Sequence, residues 1–361
     1  MRQISPVKAN LPFFSKSLFV IIVLVAFFVP TPYVLLSPGT PQNILTDAIS
    51  ISGAQSYPVK GKLSVTSVMV TNPDSYITGF DILYGWSNGE QAVLPRAEIY
   101  PENETAEEST QQGAADMQES QANATSAALS LLGYKGETKL IINTVNPKSF
   151  AFKTLFAGDQ IVGIDQLTLK SATEITDYLD RKKPGEVIKL KVIRASNTGS
   201  STGPTAGALG DKTPIEVPVK LSAREDDSAF IGVSIESKRI FPITVKIKLD
   251  ETGGPSGGLI FALGIIEKLQ SEDLIRGRNI AGTGTITDMG AVGPIGGITE
   301  KIIGAKKAGV SIFLAPIENC SDIKNPELFE GIKIVPVATL SQALAVLRAP
   351  DGATLASCKS S

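Results

Sequence analysis

The run LIFALGIIEKL at 259–269 is apolar on nearly every face. A helix of that kind is stable only inside a core, so the chain must fold around it. Directly before it stands Gly-Gly-Pro-Ser-Gly-Gly at 253–258. Ser256 therefore sits where a glycine-rich turn opens into the first turn of a buried helix. Backbone N–H groups there lack helical partners and the helix dipole is positive, which suits a developing oxyanion. The glycines allow a substrate backbone to approach closely. Three readings compete for the hexapeptide. Gly254-x-Ser256-x-Gly258 matches a hydrolase nucleophile elbow, but that mechanism needs histidine, and the chain has none. A phosphate-cradling loop and a plain helix N-cap serine stay open on these six positions alone.

The missing histidines reach further. They exclude Ser-His-Asp and Cys-His catalysis and every His-containing zinc site. Two cysteines, Cys320 and Cys358, cannot make a four-ligand metal site, and a disulfide or two free thiols are both open. No metal and no cofactor are expected. A net charge of −2 gives no footprint for nucleic acid. At 361 residues, two domains plus an anchor fit the length.

The amino terminus predicts that anchor. Arg2, Lys8 and Lys16 precede the unbroken apolar run LFVIIVLVAFFV at 18–29. Pro30 and Pro32 interrupt it, but 33–36 are apolar again, so 17–36 reads as an uncleaved transmembrane signal anchor. Positive residues on one side put 1–16 in the cytoplasm and the bulk of the chain outside the cell membrane.

Beyond the anchor, 41–72 reads as strands, 73–112 as polar and turn-rich with a solvated acidic patch at 102–108, and 114–132 as a helix ending at Gly133. Residues 138–221 have their own logic. A strand at 140–145 leads to Ser149-Phe-Ala151, then to Gly158-Asp159 and a strand, a short helix at 173–181, Pro184-Gly185 and a strand at 187–194. This order resembles a bacterial PDZ domain. The resemblance implies peptide binding by strand addition to an open sheet edge. The segment 195–213 is a Gly/Ser/Thr-rich loop whose Gly-Ala-Leu-Gly-Asp-Lys-Thr at 207–213 mimics a phosphate loop. Asp211 stands where such a loop needs glycine, so no ATPase is expected.

A second constellation lies at 281–309. A strand at 281–287 precedes a glycine-rich turn at 290–297 and a helix from Ile298. At about 100° per residue, Ile298, Ile302, Ala305 and Ala308 form an apolar stripe. Lys301 falls on that stripe, whereas Glu300 and Lys307 point the opposite way. A lysine aimed into a core loses its proton more readily, and a neutral amine can deprotonate a serine. Ser321-Asp-Ile-Lys324 imitates a penicillin-binding motif, but no Lys-Thr-Gly follows it.

Gly-Pro-Ser256-Gly-Gly, Thr283-Gly-Thr-Ile-Thr287 and Pro294-Ile-Gly-Gly-Ile-Thr-Glu-Lys301 resemble the proteolytic domain of Lon proteases. With the anchor and the PDZ-like unit, the whole arrangement resembles PDZ-containing Lon-like membrane proteases, which lack an ATPase. The resemblance implies an ATP-independent serine endopeptidase with Ser256 as nucleophile, Lys301 as base, and Thr283, Gly254 and Gly257 in support. Where Lon proper has Asp-Gly, this chain has Gly253-Gly254, so no acidic third partner is assigned there. The expected fold is α+β. It comprises 37–137 as an amino-terminal segment belonging to the protease domain, an inserted PDZ-like domain at 138–221, the Lon-type domain at 222–348 and a tail at 349–361. Expected partners are peptide or protein substrates and the membrane through the amino-terminal helix; a homo-oligomer is left open. The competing reading is a membrane-tethered PDZ adaptor whose Lon-like domain is only structural.

Overall fold

The structure is a computed structural model that describes residues 13–194, 213–224, 226–249, 253–323, 326–350 and 352–358. Arg2, Lys8, the phosphate-loop mimic up to Lys212 and Lys324 lie outside the described residues. The chain forms two compact units, one made of Met1–Leu132 and Val245–Ser361, the other of Gly133–Thr244.

The first unit is built on a five-stranded sheet in the order Gln42–Asn43, Lys62–Val65, Asn279–Gly282, Ile312–Pro316, Lys333–Val337. The last four strands are mutually parallel, and only Gln42–Asn43 runs antiparallel to its neighbour. A parallel sheet needs cover on both faces, and this one has it. Ala281, Phe313 and Ala315 pack with Ile298, Ile302 and Ala305 of the helix Ile298–Lys307. The helix Gly258–Leu269 packs against Asn279–Gly282 and comes so close to Gly282 that a Cβ there would meet Ile260 Cδ1 at 2.9 Å. Leu259 to Ile266 are all buried, which accounts for a helix apolar on every side. The architecture is mixed α/β rather than the expected α+β, because the sequence gives no direct signal of strand direction.

A second, antiparallel sheet joins Tyr33–Pro38 to Val68–Val70 and to Ala92–Pro95 around Val34, Leu36 and Tyr100. It corrects the expected span at 17–36. The apolar helix runs Phe13–Phe28 and stops before Pro30 and Pro32. Residues 33–36 alternate in burial as a strand, with Val34 and Leu36 inside. Among the described residues no helix is long and apolar enough to cross a membrane. The polar stretch at 73–112 also holds more order than its composition suggests. It contains the helix Gly79–Asn88, and the helix Ala106–Leu131 starts from a Thr105–Glu108 capping box within the acidic patch.

The second unit is an antiparallel sheet in the order Ile215–Lys220, Val187–Ile193, Gln160–Ile164, Glu137–Val145, Val233–Ile240. Its core joins Leu140, Ile142, Ile164, Leu190 and Ile231, among others, with Ile175 of the helix Ala172–Leu179. The unit runs past the expected limit of 221. Val233–Ile240 pairs along the whole of Glu137–Val145, so it cannot be separated from that sheet.

Candidate active site

Open parallel sheets place reactive groups beyond the carboxyl ends of their strands. Thr283 directly follows the strand Asn279–Gly282, and the Ser256 turn and Lys301 converge on it. The turn is fixed at three successive carbonyls and amides. Gly254 adopts φ +88°, which favours glycine, and its N–H donates to Gly113 O at 2.8 Å. Ser120 Oγ donates to Pro255 O at 2.8 Å. Ser256 O accepts from Gly284 N at 2.7 Å and from Thr283 Oγ1 at 3.0 Å. Gly257 is the N-cap, and a side chain there would meet Phe261 Cζ at 2.6 Å. The N–H groups of Ser256 and Gly257 have no acceptor among the described residues. They stand at the positive end of a helix buried everywhere but at Lys268, beside a groove that Val65, Ser67, Met117 and Leu249 also line.

Lys301 arrives from the other side of the sheet. Its helix starts at Gly297 in the left-handed region (φ 67°), and Lys301 N donates to Gly297 O at 3.1 Å. The preceding turn is tied by buried Asn319, which accepts from Ile295 N and donates to Ile295 O, each at 2.9 Å. Lys301 is 2% exposed, and its Nζ lies 2.7 Å from Ser256 Oγ and 3.0 Å from Thr283 Oγ1. Burial lowers its pKa from 10.5 to about 7.

The hydrogen-bond directions follow by elimination. The single Thr283 hydroxyl proton is committed to Ser256 O, so Thr283 Oγ1 must accept from Lys301. A neutral Lys301 amine then has one lone pair, and Ser256 Oγ is the neighbour placed to donate into it. The arrangement can therefore take a proton from a serine hydroxyl at neutral pH.

Ser256, Thr283, Lys301, Gly254 and Gly257 all come together in this way. Glu300 departs from its expected outward direction. It is 5% exposed, and burial raises its carboxyl pKa. The cause is a second packing layer: a Cβ on Gly304 would meet Gly39 O at 2.4 Å, so this helix is enclosed on two sides. Lys307 does face solvent, where it pairs with Glu90, and Ala308 is the exposed C-cap. Cys320 and Cys358 form a disulfide. Among the described residues no cluster of Cys, Asp and Glu could hold a metal ion. Ser120, Gly113 and Asn319 carry no local sequence signal.

Comparison with known families matches 196–349 to the Lon protease (S16) C-terminal proteolytic domain and 115–202 to the PDZ domain. The chain carries a Lon-type proteolytic domain and a PDZ domain. The Lon-type match supports a serine peptidase. Lon protease 2 of Herpetosiphon aurantiacus is 34% identical over 144 residues, which is 39% of this chain and 17% of that protein. Lon protease of Rickettsia bellii is 29% identical over 164 residues, 44% of this chain and 21% of that protein. The chain thus spans only about a fifth of these relatives' length. The PDZ domain of an SdrC-like protein from Listeria monocytogenes is similar at 23% identity and a TM-score of 0.21, over 27% of this chain and 85% of that one. The PDZ match begins inside the helix Ala106–Leu131 and ends before the strand Ile215–Lys220.

Proposed function

We propose that this chain is a serine endopeptidase that works without ATP, with Ser256 as nucleophile and Lys301 as general base. The observation that carries the reading is a buried lysine amine, with its pKa lowered to about 7, at 2.7 Å from a serine hydroxyl. Ser256 Oγ attacks the scissile carbonyl carbon while Lys301 takes its proton. The Ser256 and Gly257 N–H groups receive the charge that develops on the carbonyl oxygen. Collapse breaks the peptide C–N bond, and the ammonium of Lys301 returns the proton to the leaving amine. Water then cleaves the acyl-enzyme with the same amine as base. Thr283 holds Lys301 on Ser256 and fixes the Ser256 carbonyl, with Gly254 and Gly257 shaping the turn.

In this reading the PDZ unit recruits unfolded or flexible protein segments by strand addition. The chain attaches to a membrane through Phe13–Phe28, a helix with no buried residue, and its catalytic unit works outside the cytoplasm. Two features support that placement: Arg2, Lys8 and Lys16 lie on one side of the apolar run, and the Cys320–Cys358 disulfide fits an oxidising compartment. The test is labelling by a serine-reactive phosphonate together with turnover of an unfolded protein in nucleotide-free buffer. Both are expected for the native chain and neither for Ser256→Ala. Absence of labelling and turnover, with peptide binding retained, would replace the enzyme by a tethered adaptor.

A further inference from the structure

The helix Gly79–Asn88 presents an apolar face that, within the first unit, meets only the end of the exposed helix Phe13–Phe28. Phe80, Leu83, Tyr84 and Trp86 are 49 to 66% exposed. At about 100° per residue they occupy one outer arc of the helix, shared with Gly79 and with Ser87, whose hydroxyl donates back to Tyr84 O. The inner face is closed: a Cβ on Gly85 would meet Leu35 Cδ2 and Val93 Cγ2, each at 3.3 Å. The one acidic residue, Asp81, lies outside the arc, where its carboxylate accepts from Thr78 N and Oγ1 in the capping box.

This face is joined directly to the apolar helix Phe13–Phe28. The Phe27 and Phe80 rings lie 6.1 Å apart, so the outer arc turns toward the end of that helix. A Cβ on Gly79 would stand 2.0 Å from Ala26 O, so only glycine permits this approach. Thr31 N and Oγ1 both donate to Ile77 O, at 2.7 and 2.9 Å, which ties the connection. Two exposed apolar helices therefore meet end to face.

The apolar run decides what covers them. Ser15, Lys16 and Ser17 stand near the start of Phe13–Phe28, so its unbroken apolar part is Leu18–Phe28, largely exposed and about 16 Å long against about 30 Å for a bilayer's hydrocarbon core. A short exposed apolar helix with an apolar face beside it fits a lipid interface, where helices seat about 5–10 Å deep. Trp and Tyr, with apolar rings and polar tips, are the residues that settle at that boundary. We infer that Gly79–Asn88 is an interfacial helix whose Phe80, Leu83, Tyr84 and Trp86 face seats in the lipid surface beside Phe13–Phe28. This inference rests on the membrane attachment proposed above. It adds a second contact, which fixes the height of the catalytic unit over the bilayer.

Trp86 is the only tryptophan of the chain, so its fluorescence reads this helix alone. The full chain is reconstituted with vesicles of phosphatidylcholine and phosphatidylglycerol; flotation reports attachment, and quenching reports Trp86. The expected result is flotation, strong quenching by lipid brominated near the headgroup, weaker quenching by deep-brominated lipid, and protection from aqueous iodide. Leu83→Asp should weaken vesicle association ~10-fold, the loss of one buried leucine side chain, with short-peptide turnover unchanged. Flotation with Trp86 unquenched by lipid and open to iodide would overturn the inference and leave attachment standing. Shielding from both quenchers that appears only at high protein density would also overturn it and assign the face to a second copy. Failure to float would remove attachment and the inference together.

Discussion

The ionisation of Lys301 is open to a direct kinetic test. Its pKa falls from 10.5 to about 7 because burial penalises the ammonium form. That shift corresponds to about 5 kcal/mol. At pH 7 about half of the enzyme then holds a neutral amine, whereas only about one unshifted lysine in three thousand would. The gain of ~10³ in competent enzyme matches what a general base contributes, typically ~10²–10⁴. Turnover of a short fluorogenic peptide over roughly pH 5.5 to 9.5 should give kcat/KM rising about tenfold per unit at the acid end and levelling above pH ~8. Lys301→Arg keeps the positive charge but cannot release its proton, and should lose ~10²-fold or more in kcat, as should Lys301→Ala. A flat profile or a midpoint near that of an exposed lysine would refute the reasoning. So would a normally folded Lys301→Arg enzyme that retains more than about a tenth of native kcat.

The same burial costs stability. With a folded pKa below the unfolded one, the unfolded state binds more protons between pH ~7 and ~10.5, so the protein should gain stability as pH rises through that window. Lys301→Met removes a penalty of about 4 kcal/mol at pH ~7.5 and loses two hydrogen bonds of about 1 kcal/mol each. It should therefore unfold a few degrees higher while inactive, and a lower midpoint would contradict the cost. Thr283→Val removes the acceptor that favours the ammonium, so the midpoint of the pH profile should move down while kcat falls ~10-fold from lost positioning; an upward shift would argue against that role. Replacing 133–244 by a short linker should raise KM for protein substrates and spare a short peptide, and equal loss on both would make the unit part of the protease fold. A phosphatase fused at Ser361 should be active, and an inactive fusion with cytoplasmic reporter signal would reverse the proposed orientation.

How much of this could be read from residues depended on how far apart the interacting parts lie. The burial of Lys301 follows from its spacing to Ile298, Ile302 and Ala305, all within two turns of one helix. The burial of Glu300 does not, because the layer that covers it is Tyr33–Pro38, more than two hundred residues earlier in the chain. A helical wheel detects one apolar face and has no means to announce a second layer on a helix whose other side carries glycine. Ser120 was invisible for the same reason: its partner, the Pro255 carbonyl, is 135 residues away. At 17–36, hydropathy summed over the window concealed the alternation that makes 33–36 a strand once Pro30 and Pro32 have ended the helix. Strand direction in the main sheet was equally hidden, since short buried strands have the same composition whether parallel or not.

The central strand pairing also sets a clock on synthesis. Lys62–Val65 lies between Gln42–Asn43 and Asn279–Gly282, and Thr66 donates through both N and Oγ1 to Gly282 O, 216 residues further on. At about 5–20 residues per second a ribosome takes roughly 10 to 40 s to deliver that partner. Until then Leu63, fully buried in the finished sheet, waits on a strand with one open edge. Gly133–Thr244, contiguous in sequence, can complete its own sheet within that interval. Ser256 and Lys301 both emerge near or after the end of it, so under the proposed function the nascent polypeptide would pass most of its translation without a hydrolytic centre.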